Sequence, residues 1–257
     1  QEAEVSDILF HATAGALSSE TVAINRIPLL FEKQGEAFAT FYQGVGAGGL
    51  WTFLGLFVVT LMIGGAVEYV FRLLTRPLRA LPLGQTLTLR KTFESLFRRL
   101  LVDVMAVGIF VLPTWGVSLV IFPENMQPYI ALSGWMLVGF PRMFWAVSRF
   151  FFAPQNPEYR IVYATDANAR AMVRHSVWRA LLIGLSTVIV QFNALNGVPM
   201  GETRIGFWLN LVVHIYVAAL CWRYRDALSD MMRGKHDVTS GEEVVARIYP
   251  YIMIFMA

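Results

Sequence analysis

Five long apolar runs constrain this chain more than any other feature of its sequence. A transmembrane helix needs about 20 apolar residues to cross a hydrocarbon layer about 30 Å thick. Hydrophobic residues make up 56% of the 257 residues and charged residues 15%, against roughly 25% charged residues in soluble domains. The predicted spans are about 49–71, 100–122, 129–152, 175–195 and 205–224. We therefore predict an all-α integral membrane fold, a polytopic bundle with five full transmembrane helices.

The segments between these runs alternate in their content of Lys and Arg. Basic residues number seven in 72–99, four in 149–174 and five in 223–247, whereas 123–128 has none and 196–204 has one. Cytoplasmic loops carry an excess of Lys and Arg. The alternation therefore predicts the N-terminus outside and the three basic segments in the cytoplasm.

Two segments flank the predicted transmembrane region, 48–247. In residues 1–47, apolar positions between 22 and 42 follow mostly helical spacing, which predicts an extracytoplasmic amphipathic helical segment. The sequence Ser240-Gly-Glu-Glu243 has the form of a capping box and predicts a helix leading into a sixth span. The last nine residues reach only about 14 Å as a helix. We therefore expect 248–257 to be the truncated start of that span, in a piece of a longer protein.

Four charged residues, Glu68, Asp103, Arg142 and Arg149, lie in the first three predicted spans. Arg142 falls near the middle of the third span, where an arginine costs roughly 2.5–3.5 kcal/mol on insertion scales. One interpretation pairs it with Glu68 or Asp103, so that the pair holds two arrangements of a helix bundle. The other is that Arg142 and Arg149, seven residues apart on one face, extend to the inner headgroups.

Polar residues in the last two spans allow two interpretations. Asn210 and His214 are four residues apart on one face of the fifth span, and Gln191 and Asn193 lie near the end of the fourth. They could form a proton relay or a substrate site, or they could make hydrogen bonds between helices. Outside the spans, Asp166 is interpreted as a helix N-cap rather than a metal ligand, because an EF-hand glycine and acidic ligands do not follow it.

Glycine and proline residues mark possible flexing points. The alternative interpretation is that these glycines and prolines cause only ordinary irregularities in their helices. The candidate hinges are Gly44, Gly46, Gly48, Gly49, Pro113 and Pro141.

The sequence offers no pattern for catalysis, a metal or a cofactor. It has one cysteine, Cys221, four scattered histidines and no set of nucleophile, base and orienting residue. We therefore predict no enzyme activity, and identify no cofactor and no small-molecule substrate. Without a basic stripe interleaved with aromatic residues, nucleic acid is not an expected partner. The basic loops favour anionic lipid headgroups.

Three stretches together give a resemblance to a known family. They are Glu68 to Arg76 (EYVFRLLTR), Ser148 to Pro154 (SRFFFAP) with the following polar segment, and Arg223 to Arg225 (RYR) leading to Met232-Arg-Gly234. Over roughly residues 50–250, the chain resembles the N-terminal membrane region of larger bacterial mechanosensitive channels of small-conductance (MscS) type.

The resemblance implies a homo-oligomer in the bacterial inner membrane, with a periplasmic N-terminus. The N-terminal helices would act as lipid-embedded, tension-sensing paddles around a central pore. The glycine- and alanine-rich pore helix and β-rich domain of that family are missing from this sequence, so any pore would lie beyond Ala257. Our leading hypothesis is thus the tension-sensing region of a channel subunit. The alternatives are an accessory or scaffold subunit of a larger membrane complex and a secondary transporter.

Overall fold

The described part of the chain is helical. The structure, a computed structural model, describes residues 25, 27–45, 49–80, 89–234 and 240–256. Within these ranges there is no β-strand, and one short 3₁₀ turn, Pro157–Tyr159, separates two of the helices. The α-helices are α1 Ile27–Val45, α2 Gly49–Leu74, α3 Arg76–Arg79, α4 Leu89–Ile121, α5 Gln127–Phe152, α6 Asp166–Leu195, α7 Met200–Thr203, α8 Ile205–Arg223, α9 Arg225–Arg233 and α10 Ser240–Met256.

Five of these helices, α2, α4, α5, α6 and α8, are long and apolar enough to cross a membrane. This confirms the predicted number of long apolar helices. Between 11% and 28% of the residues in the most apolar stretch of each helix are buried within the chain, and many large apolar side chains on these helices are exposed. By the length and composition of its helices, the chain is a multi-pass membrane protein.

The helices form a row rather than a closed bundle. Along the row, α2 packs with α4, α4 with α5, α5 with α6, α6 with α8, and α8 with α10, and the short α9 also packs on α10. Two ends of the row can be distinguished. We call the end with the short turns after α4 and α6 the turn end. The other end, which carries α3, the start of α4 and the segment 153–165, is the basic end.

Two helices begin earlier than the apolar runs predict. The second span was expected from 100 and the fourth from 175, but α4 begins at Leu89 and α6 at Asp166. The extension of α4 has its own apolar contacts, because Leu96 is 1% exposed and packs in a cluster with Ala153, Tyr159 and Phe150. Hydropathy predicts where the apolar run begins, whereas this packing decides where the helix begins.

The N-cap of α6 corrects one sequence interpretation. Asp166 was expected to be the cap, but the cap is Thr165, whose Oγ1 accepts a hydrogen bond from the backbone N–H of Asn168 at 3.3 Å. Asp166 is the first residue of the helix, where its negative charge is favoured by the helix dipole. Its carboxylate accepts from Arg160 Nη2 at 2.7 Å, and Arg160 Nε donates to the carbonyl of Phe152 at 2.9 Å. Through these two contacts, Arg160 connects the end of α5 to the start of α6.

Thr165→Ala should lower the free energy of unfolding by about 1 kcal/mol, because the first turn of α6 loses its side-chain acceptor. Thr165→Ser keeps a hydroxyl at the same position and is expected to change stability less. Denaturant titration in mixed micelles measures both. An equal effect of the two substitutions would mean that the cap contributes nothing.

A π-helical turn, Gly134–Gly139, interrupts α5 just before Pro141. Proline has no N–H and its ring clashes with the carbonyl four residues earlier, so a widened turn accommodates it. Helix α6 approaches this turn closely. A Cβ built on Gly184 would lie 2.9 Å from the carbonyl carbon of Met136 and would overlap its oxygen. The spacing of Ala180 and Gly184 predicts such an approach, and both residues are buried.

At the turn end, α1 packs across the ends of the long helices. The ring of Phe41 lies 5.4 Å from Phe53 of α2, 5.1 Å from Tyr129 of α5 and 5.3 Å from Phe192 of α6. Gln34 of α1 also accepts a hydrogen bond from the amide of Asn193 at 3.0 Å. Helix α1 covers part of the predicted amphipathic segment, while 1–24 lie outside the described residues.

Candidate functional site: paired charges at the basic end

Two carboxylates are buried in the long helices near the basic end. Glu68 of α2 is 3% exposed and Asp103 of α4 is 2% exposed. An isolated charge in a low-dielectric environment costs several kcal/mol, so a buried carboxylate requires cationic partners. Arginines supply them in both cases.

Glu68 bridges α2 and α5. Its Oε1 accepts hydrogen bonds from Arg72, one turn further along α2, at 2.6 Å. Its Oε2 accepts from Arg142 of α5. The Arg142 guanidinium also lies 4.8 Å from the centre of the Phe110 ring, a cation–π contact. Of the two partners that the sequence left open for Arg142, the structure therefore has Glu68.

Asp103 joins α3, α4 and α5. Its Oδ1 accepts from Arg79 of α3, and its Oδ2 lies 3.7 Å from Nη1 of Arg149. Arg149 in turn lies over the Trp145 ring, 4.2 Å from its centre. Arg142 and Arg149 are each paired with a carboxylate of a neighbouring helix. The interpretation in which both also extend to the headgroups stays a prediction.

The sequence pattern could have identified one of these pairs but not the others. Glu68 and Arg72 have the i, i+4 spacing that pairs side chains on a helix. Arg79 lies 24 residues from Asp103, and only the turn into α3 brings it back to α4. No sequence spacing predicts that contact.

An open cleft of about 440 Å³ lies beside the Glu68 pair, between α2, α5 and α6. Both arginine partners of Glu68 reach it, and two aromatic side chains form part of its wall. The lining residues are Gly65, Glu68, Tyr69, Arg72, Pro141, Arg142, Trp145 and Val177. Charged side chains therefore line an open cavity between these three helices.

The polar residues of the last two spans do not form one site. Asn210 and Gln191 line a cleft between α6 and α8, together with Ser186 and Thr187. His214 is exposed, and its Nδ1–H donates to the carbonyl of Asn210 at 2.5 Å. Asn193 lies elsewhere, against α1.

A polar junction between α6 and α8 was missed by the sequence reasoning. The two ring nitrogens of His175 exchange hydrogen bonds with the hydroxyls of Tyr216 at 2.9 Å and Tyr224 at 3.3 Å. These residues are more than 40 positions apart in the sequence. No local pattern signals their contact.

The candidate hinges fall in different environments. Gly44 lies in the last turn of α1 and Gly49 begins α2, while Gly46 and Gly48 lie outside the described residues. Pro113 lies inside α4, beside the closest approach of α2, where a Cβ on Gly64 would lie 2.9 Å from the carbonyl oxygen of Phe110. Pro141 follows the π-helical turn of α5.

Within the described ranges, no three His, Cys, Asp or Glu side chains gather so that they could hold a metal ion. The ion pairs of the two buried carboxylates attract neighbouring helices to one another: Glu68 joins α2 to α5, and Asp103 joins α3, α4 and α5.

Comparison of the chain with protein-family models, with curated proteins and with solved structures finds no match. The fold and the site define its class, a multi-pass helical membrane protein with paired charges at one end.

Proposed function

We propose that this chain is the tension-sensing region of a mechanosensitive channel subunit of the small-conductance type. It would lie in a bacterial inner membrane with a periplasmic N-terminus, as part of a homo-oligomer whose pore lies beyond this chain. The observation that carries the proposal is the attachment of α2. This helix stands at one edge of the row, is mostly exposed and packs mainly on α4, and its Glu68 forms an ion pair with Arg142 of α5.

The two arginine partners of Glu68 make this attachment reversible. If α2 moves away from α5, Glu68 keeps the hydrogen bonds from Arg72, because both residues belong to α2. The carboxylate is then not left alone in the apolar region. Because Arg72 stays bound in both arrangements, separating α2 from α5 costs less than it would for an isolated carboxylate, which favours a two-state element.

Membrane tension would act on these arrangements through their area. Lateral tension favours whichever arrangement occupies more membrane area, and it shifts the populations accordingly. Helices α5 and α6 interlock at Gly184 and Met136, so we expect them to move as a unit. Helix α2, with α4 packed closely against it at Gly64, would move against that unit.

Spin-label distances in lipid nanodiscs test this motion. Labels replace Leu73 of α2 and Val147 of α5, both exposed, in a Cys221→Ser background. A lysophospholipid added to stretch the bilayer should increase the distance between these labels by about 2 Å or more. The matched control pair, Val147 and Leu185, spans α5 and α6 and should not change.

Two results would contradict the proposal. The α2–α5 distance could stay the same under stretch, or both pairs could change equally. The first would mean that α2 does not respond to tension, and the second that the whole row expands without a specific sensor.

A second candidate is an accessory or scaffold subunit of a larger membrane complex. It is favoured by the exposed His214 on α8, the tenth of the 19 residues of that helix. An exposed polar side chain at that depth is better accommodated by another helix than by lipid. Stoichiometric co-purification with other proteins, without tension-evoked currents from the native gene product, would support this candidate over the first.

A further inference from the structure

We propose that the cleft beside Glu68 binds the phosphate group of a phospholipid from the leaflet at the basic end. The proposal requires only that α2, α5 and α6 lie in the bilayer, so it is independent of tension sensing. It names a ligand for a cleft that the ion-pair network leaves open.

The charges around the cleft do not balance. One carboxylate, Glu68, faces two arginines, Arg72 and Arg142. The remaining positive charge is not fully enclosed, since the side chain of Arg142 is 38% exposed and that of Arg72 is 28% exposed. An anion in the cleft would neutralise it. Arginine suits phosphate because its planar guanidinium presents several N–H donors at once.

Along α2, the cleft lies near the boundary between hydrocarbon and headgroups. Glu68 is the twentieth residue of α2, about 28 Å along the helix from Gly49, close to the hydrocarbon thickness of about 30 Å. Arg142 lies deeper, about 15 Å before the end of α5, so its long side chain has to extend toward that boundary to meet a phosphate. A phosphate carried by a lipid can reach this level with its acyl chains in the hydrocarbon.

The surroundings of the cleft favour a lipid over a soluble anion. Tyr69 and Trp145 line it, and aromatic side chains of this kind are enriched at membrane interfaces. The exposed apolar residues Met62 and Val58 continue along α2 toward the turn end. Acyl chains can lie along this surface while the phosphate meets the arginines.

Lipid titration followed by native mass spectrometry tests the proposal on the delipidated 257-residue chain. Dioleoyl-phosphatidylglycerol should bind, whereas dioleoylglycerol, which has the same acyl chains and no phosphate, should bind at least about tenfold more weakly. Inorganic phosphate in excess should not displace the phospholipid. Displacement by inorganic phosphate would overturn the lipid assignment in favour of a site for soluble anions.

Single substitutions test whether the phospholipid binds in this cleft. Arg142→Gln should weaken phosphatidylglycerol binding about tenfold, because one charged donor is lost. Arg90→Gln is the matched control, since Arg90 lies 89% exposed elsewhere at the basic end, and it should leave binding unchanged. Val177→Phe fills the cleft without touching its charges and should also weaken binding. Unchanged binding in both cleft variants, with the thiol of Cys221 still protected as in the folded chain, would overturn the proposal.

Discussion

Asp103→Asn is expected to lower the free energy of unfolding by about 3–5 kcal/mol, because removing one partner of a buried ion pair leaves the other charges uncompensated. Asparagine keeps the shape of the side chain but not its charge. Arg79 and Arg149 would then face each other without the carboxylate that lies between them, and Arg99 lies one turn away on α4.

The matched control for this substitution is Glu94→Gln on the same helix. Glu94 pairs with Arg90 at 2.8 Å, and its side chain is 59% exposed. Exposed pairs of this kind contribute up to about 1 kcal/mol. Each substitution removes one negative charge. The difference between their unfolding free energies therefore measures the effect of burial rather than of net charge.

The measurement is denaturant titration in mixed micelles, with labelling of the buried Cys221 thiol as the signal of unfolding. The double variant Asp103→Asn with Arg149→Gln should recover part of the loss, since one unpaired charge is removed with the carboxylate. If Asp103→Asn and Glu94→Gln had the same small effect, Asp103 would be solvated rather than paired inside the helix row.

Gly184→Ala is expected to destabilise the chain by about 1–3 kcal/mol, because an added methyl group would overpack a close helix contact. The Cβ would overlap the carbonyl oxygen of Met136. That oxygen belongs to the backbone of the π-helical turn, so a side-chain rotation cannot relieve the overlap. Helices α5 and α6 would have to separate along their contact.

Gly108→Ala provides the control of opposite sign. Gly108 also lies within a long apolar helix, α4, and a Cβ there would meet nothing within 4 Å in this chain. Alanine favours a helix over glycine by about 0.5–1 kcal/mol, so this variant should be as stable as the original chain or more stable. Destabilisation by both substitutions to the same degree would show that the contact at Gly184 is not responsible.

The candidate site could be predicted from the sequence only in part. Charged residues such as Glu68, Asp103 and Arg142 stand out in apolar runs because their burial is costly. The i, i+4 spacing of Glu68 and Arg72 is also visible in the sequence. The partner of Arg142 could not be chosen, because both carboxylates lie toward the same end of their helices. The choice depends on the rotation of α2, α4 and α5 about their axes.

The sequence by itself determined the helical class, the number of long apolar helices and the approximate position of each. These follow from local physics, since the length of an apolar run must match the thickness of a bilayer. The cap of α6 is a local contact of Thr165 with Asn168, one residue before the Asp166 that the sequence indicated. The tertiary structure decided where α4 begins and which arginines of other helices meet Glu68 and Asp103. Those features depend on contacts between residues far apart in the sequence, which no local spacing encodes.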